Sequence, residues 1–238
     1  MFLATQLGFA LLTVVFFVLV LKELKMALSR SGFEGNRQKK ILNRVSLALS
    51  FWLALVSVLS IRGFFSNFDS FPPRLMIVLF VPLITLVWAL LISKTTKELL
   101  PFISPRALTG LQVFRLFVEI LLWMLFIQNL IPIQMTFEGR NFDILAGITG
   151  PIIAYLAYSK HVIGKTGVII WNVACLCLLI NIVATAILSI PSPFRYFMNE
   201  PANTIVTEFP IIWLPAFLVP LAYSLHFLSL RQLINQKN

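Results

Sequence analysis

Residues 2–21, FLATQLGFALLTVVFFVLVL, run for twenty positions without a charged side chain. A helix of that length reaches ~30 Å, the thickness of a bilayer's hydrocarbon core. Comparable apolar runs return over about 45–61, 75–93, 108–131, 143–159, 167–189 and 209–230. In lipid every backbone polar group must be satisfied within the protein, so such runs fold as helices packed side by side. The predicted fold is therefore all-α, a single integral membrane bundle of seven transmembrane helices over residues 1–238. Composition agrees. The chain is 59% hydrophobic and 12% charged, against ~45–50% and ~25% for soluble domains. No connector exceeds about twenty residues, too little for a separate soluble core.

The net charge of +10 would point to nucleic acid in a soluble protein. Here the basic residues collect in alternate connectors. Lys22, Lys25, Arg30, Arg37, Lys39, Lys40 and Arg44 lie between the first two runs, with Glu23 and Glu34. Lys94, Lys97 and Arg106 follow the third run, Lys160 and Lys165 the fifth, and Arg231 and Lys237 the seventh. The other connectors hold only Arg62, Arg74, Arg140 and Arg195. The positive-inside rule then places the N-terminus outside and the C-terminus in the cytoplasm. The first run has no positive charge before it, so it reads as a retained helix rather than a cleaved leader. The expected location is the inner (plasma) membrane. The expected partners are membrane lipids and a small polar or amphipathic ligand, without nucleic acid.

Two charges break the fourth run. Arg115 and Glu119 stand four apart and share one helix face. At membrane depth a lone charge costs several kcal/mol on insertion scales. One reading is a self-neutralised pair that locks this helix into the bundle; the other is a site for a polar ligand. Tyr155, Asn172, Tyr223 and His226 fall in the same half of the bundle and complete an inner polar cluster. An outer group comprises Glu138, Arg140, Asn141 and Asp143 in one connector and Arg195, Glu200 and Glu208 in another. Asn141 or Asp143 is placed to cap the fifth helix. Arg140 is expected to join loops 134–143 and 190–208 over a cavity mouth, with Glu138, Asp143, Glu200 and Glu208 around it. Loop 190–208, rich in proline and aromatics, reads as an interfacial lid or anchor.

Other positions have structural readings. Gly147 and Gly150 let a neighbouring helix approach closely. Cys175 and Cys177 point to opposite sides of their helix, as do Asn172 and Asn181. Both asparagines suit helix–helix hydrogen bonds.

Several chemistries lack their residues. The seventh run contains no lysine for a retinal Schiff base. No Gly-x-Ser-x-Gly, His-Glu-x-x-His or phosphate-binding glycine loop occurs. Two histidines are too few for a conventional zinc motif. No cofactor, metal or catalytic residue is assigned.

The segments MTFEGRNFDILAGITGP and FPIIWLPAFLVPLAYSLHFLSLRQL resemble an uncharacterised group of bacterial multi-pass membrane proteins with no assigned activity. The resemblance implies a seven-helix bundle in a bacterial inner membrane and brings no site residues. The favoured reading is a protein that binds or translocates a small polar or amphipathic molecule. The alternatives are an intramembrane lipid-modifying enzyme, with Glu119 and His226 as acid and base, and a structural subunit of a membrane complex.

Overall fold

The computed structural model describes residues 1–68, 70 and 72–235. Asp69 of the second connector and Lys237 at the C-terminus lie outside them. The described residues are helical with no strand. The long helices are α1 (Phe2–Arg30), α2 (Gly35–Ile61), α3 (Leu75–Ile92), then, after the short α4 (Lys94–Leu99), α5 (Pro105–Phe126), α6 (Ile144–Tyr158), α7 (Lys165–Ile187) and α8 (Leu214–Asn235). Six of these are long and apolar enough to cross a membrane, α6 being the shorter exception.

The first two helices run well past the boundaries expected from the sequence. α1 continues to Arg30, and α2 already begins at Gly35. The lysines and arginines of 22–44 are thus carried mainly on helix ends. Gly32 makes the turn with φ +71, a conformation that costs glycine little. α1 buries Thr5, Phe9, Leu12 and Phe16, a stripe at helical spacing. Ser104 accepts the Ala107 N–H at 3.2 Å, and Pro105 fills the first position of α5, so this helix starts capped.

α8 lies at the centre, against α3, α5 and α7. It begins at Leu214 rather than at residue 209, and its first turn, Leu214–Leu218, is a π-turn. Pro220 has no N–H to give the carbonyl four residues back. That carbonyl, of Ala216, accepts the Trp52 indole N–H from α2 at 3.0 Å instead. Trp213 donates to Ser57 at 2.9 Å, a second tie between these elements.

α6 has 15 residues, ~22 Å of helix, less than the ~30 Å of a hydrocarbon core. The chain before it is buried in the protein as well. Ile131, Gln134, Met135, Thr136, Asn141 and Asp143 are buried, so the connector is drawn into the bundle rather than left at its surface. Irregular backbone is tolerated at such depth only inside protein and with its polar groups satisfied. Here the N–H groups of Gly139 and Asn141 both reach the Thr136 carbonyl, at 3.0 and 3.1 Å. Gly139 itself lies under the Ile133 carbonyl, where an added Cβ would stand 2.3 Å away.

α6 meets α5 backbone to backbone. A Cβ on Gly147 would lie 2.2 Å from the Leu116 nitrogen, and one on Gly150 3.0 Å from the Thr109 carbonyl. The two glycines therefore do what their spacing predicts. Their consequence is positional: they press the start of α6, with Asp143, against α5 and Arg115.

Candidate functional site: a buried charged network beside an apolar cavity

Arg115 is buried on the inward face of α5. Its Nε donates to Asp143 Oδ2 at 2.6 Å, and its Nη2 donates to Asp143 Oδ1. This is the two-bond fork that suits guanidinium to carboxylate. Nη2 also donates to the Cys175 carbonyl of α7 at 3.2 Å. Nη1 reaches His226 Nε2 on α8 at 2.9 Å. A guanidinium only donates, so Nε2 accepts and the ring proton sits on Nδ1. Nδ1 lies 2.8 Å from Asn172 Oδ1 and donates to it. The Asn172 amide then donates to Ser229 Oγ at 3.1 Å and to the Val168 carbonyl at 2.9 Å. One chain of hydrogen bonds therefore joins α5, α6, α7 and α8. Every nitrogen of Arg115 and both ring nitrogens of His226 are engaged in it.

The pairing of Arg115 with Glu119 expected from their spacing does not form. The two do share the buried face, but the arginine turns to Asp143. Geometry accounts for the choice. Asp143 sits opposite the guanidinium and offers it both oxygens, and the contact ties two helices together. Glu119 takes a different partner: the Asn141 amide donates to its Oε2 at 2.6 Å. Asn141 also donates to the Met135 carbonyl at 3.1 Å and accepts the Asp143 N–H at 3.1 Å. It thus braces Glu119 and Asp143 together. Among the described residues Glu119 forms no ion pair.

Arg115, Glu119 and Asp143 reach one side of a cavity. The space open to the centre of a water-sized sphere is about 90 Å³; by that measure a single water needs ~10–15 Å³. The remaining wall is almost wholly apolar, with Leu79 from α3, Leu122 from α5, Val183 and Ala186 from α7, and Leu218 from α8. Asn203, Ile205 and Val206 of loop 190–208 also line it. His226 does not.

The model of a family described as Domain of unknown function (DUF8737) matches residues 72–234. The chain belongs to that family. No curated protein and no solved structure matches it. The DUF8737 match takes in α3 through α8, and with them every residue of the network and the cavity, and leaves out α1 and α2.

Within the DUF8737 region the residues singled out from sequence divide into three sets. Arg115, Asn172 and His226 of the inner group and Asn141 and Asp143 of the outer group meet in one network, with Glu119 attached through Asn141. Four residues of the inner group and two of the outer group thus meet in one network. Tyr223 and Tyr155 stand apart. Tyr223 is buried and stacks on Phe227 at 6.2 Å. Tyr155 faces outward, 46% exposed, with Lys160 Nζ 5.7 Å from its ring centre. The third set stays at the surface. Glu138 accepts the Trp123 indole N–H at 2.6 Å. Arg140 lies over the Phe197 ring at 5.4 Å, and its carbonyl accepts from Asn181 at 2.8 Å. Arg140 therefore does bridge the two loops, but through an aromatic ring. The acids expected around it are engaged elsewhere, because Asp143 holds Arg115 and Glu200 pairs with Arg195 at 2.9 Å. Glu208 is exposed. Arg195 and the Ala202 amide hold the Glu200 carboxyl below its ordinary range.

Sequence reasoning missed Ser229 and Gln112. Ser229 completes the chain beyond Asn172, and the Gln112 amide donates to the Ala222 carbonyl at 3.2 Å. A signal existed for Ser229: it stands one turn from His226 on the same face of α8.

Proposed function

We propose that this multi-pass membrane protein binds an amphipathic molecule, with the apolar part in the cavity between α3, α5, α7 and α8 and the polar end at Glu119. The observation that carries the reading is a buried carboxyl, Glu119, that has no ion-pair partner among the described residues and stands on the wall of an apolar cavity. A charge removed from water costs several kcal/mol even after relaxation, and a well-packed apolar residue would serve stability as well or better. Arg115 and Asp143 answer each other and hold four helices in register. Glu119 is left for something that enters. Charged side chains at membrane depth that face a cavity mark ligand or ion paths by default.

α3 packs on α8 rather than along α7, and residues of both α3 and α7 line the cavity. The gap between them supports entry from the lipid side. Catalysis by Glu119 with His226 is the weaker reading, because both ring nitrogens of His226 are committed to Arg115 and Asn172. In this proposal the connector 131–143 and α6 together make a seventh crossing. The basic end faces the cytoplasm of a bacterial cell, and the mouth formed by loops 134–143 and 190–208 faces outward.

The test is native mass spectrometry of the protein extracted gently from its own membrane, beside Ala186→Phe, which fills the cavity. The reading expects a bound small molecule with a hydrocarbon part in the wild type and its loss from the variant. An empty wild type, or equal retention in both, overturns it.

A further inference from the structure

We infer that the molecule held in the cavity carries a cationic, hydrogen-bond-donating head, such as a protonated amine, and that Glu119 is its counter-charge. This rests on the cavity reading above and adds the sign of the head group.

The charged groups on the cavity wall are Arg115, Asp143 and Glu119 among the described residues. Among the described residues Arg115 is the one cation on the wall, and four of its five N–H donors are used: Nε and Nη2 on Asp143, Nη2 again on Cys175, and Nη1 on His226. An anionic head arriving at Arg115 would meet a charge already compensated by the forked Asp143, with a single Nη1–H to offer. Asp143 is equally committed, with both oxygens on the guanidinium. Those two charges cancel.

Glu119 differs from both. Its one hydrogen bond comes from Asn141 to Oε2, and a carboxylate has about four acceptor sites. The group facing the cavity is therefore a carboxyl with acceptor sites to spare, which a cationic donor would hold in its ionised form. Around it stand Val118, Leu122 and Leu125 of its own helix and apolar residues of α7 and α8, so no other cation competes. Such a wall repels a carboxylate or phosphate and offers a neutral hydroxyl only a hydrogen bond. An ammonium brings both that hydrogen bond and the opposite charge, which the hydroxyl lacks. A proton alone would also answer the charge, but it leaves the apolar volume of about 90 Å³ without a use. An amine with a hydrocarbon chain answers both.

The experiment uses the full chain in nanodiscs of neutral phosphatidylcholine, with empty nanodiscs as the partitioning control. The probes are dodecylamine, dodecanoate and dodecanol, which share a chain and differ in the head. The inference expects dodecylamine to bind at least tenfold more tightly than either of the others. It expects that preference to collapse in Glu119→Gln, to persist in Glu119→Asp, and all binding to fall in Ala186→Phe. Equal binding of the three probes, or an amine preference that survives Glu119→Gln, overturns the head-group assignment and leaves the cavity reading standing. Binding of none of the three overturns both. Should Glu119→Gln fail to fold, the wild-type ranking decides by itself, since a preference for dodecanoate or dodecanol contradicts the inference directly.

Discussion

Replacing Asp143 with asparagine removes one charge and almost no volume. In the structure this leaves Arg115 buried with its guanidinium fork facing a neutral amide, while Cys175 and His226 still accept from it. Breaking a buried pair by neutralising one member costs ~3–5 kcal/mol, because the remaining charge is uncompensated. At ~1.4 kcal/mol per tenfold, the folding equilibrium constant falls by a factor of roughly 10² to several times 10³. Arg115→Gln has a comparable effect from the other side. The double variant removes both charges and is expected to be more stable than the sum of the singles predicts, by about 2 kcal/mol or more. Ordinary hydrogen bonds between membrane helices couple by only ~0.6 kcal/mol on average, so the ion pair stands clear of them. The assay is reversible unfolding in mixed micelles, run as two cycles: Arg115→Gln with Asp143→Asn, and Arg115→Gln with Glu119→Gln. The first is expected to show the larger coupling. A larger coupling to Glu119 would refute the assignment of partners and return Arg115 to its neighbour on the same helix.

Gly147→Ala is expected to destabilise by ~1–3 kcal/mol or more, since its Cβ meets the Leu116 backbone; Gly164→Ala, with open space around it, is the neutral control in the same unfolding assay. For loop 190–208 the sign follows from Glu200. A carboxyl held below its ordinary range contributes order that is present above that range and lost as pH falls through the lowered value. The protection factor of the Ala202 amide, its exchange relative to the intrinsic rate at each pH, is therefore expected to fall on acidification, and Glu200→Gln to abolish that dependence. Single cysteines at positions 22–44 and 94–107, placed in a chain lacking Cys175 and Cys177, are expected to be protected from an impermeant reagent in intact cells, whereas Ser66→Cys and Tyr196→Cys label; the reverse pattern would invert the orientation proposed above.

The sequence told much about the helices and little about their polar partners. Apolar runs are set by the bilayer's thickness, a constraint each segment meets alone, so the helices were legible one at a time. Gly147 and Gly150 were legible for the same reason, because small residues three apart carry their meaning locally. The partner of Arg115 was not. Helix periodicity names Glu119, one turn away, and says nothing of Asp143 twenty-eight positions on. What brings Asp143 there is the entry of residues 131–143 into the bundle. The clue lay in α6, whose apolar stretch is too short to match its neighbours, so that polar residues such as Asn141 had to follow the chain inward. Tyr155 shows the converse limit. Position along a helix does not fix which way a side chain turns, and Tyr155 points outward, 46% exposed. Arg140 was rightly given a bridging role and wrongly given acids, since counting nearby carboxylates takes no account of Arg195 claiming Glu200.

The central claim is that the cavity beside Glu119 is made to be filled. It is tested most directly by an experimental structure of the full chain in native-lipid nanodiscs, at a resolution that shows hydrocarbon chains. The account predicts elongated density between α3 and α7 with one end against the Glu119 carboxylate, and Arg115 still forked on Asp143. It is contradicted if neighbouring side chains close the space, or if Glu119 turns to pair with Arg115.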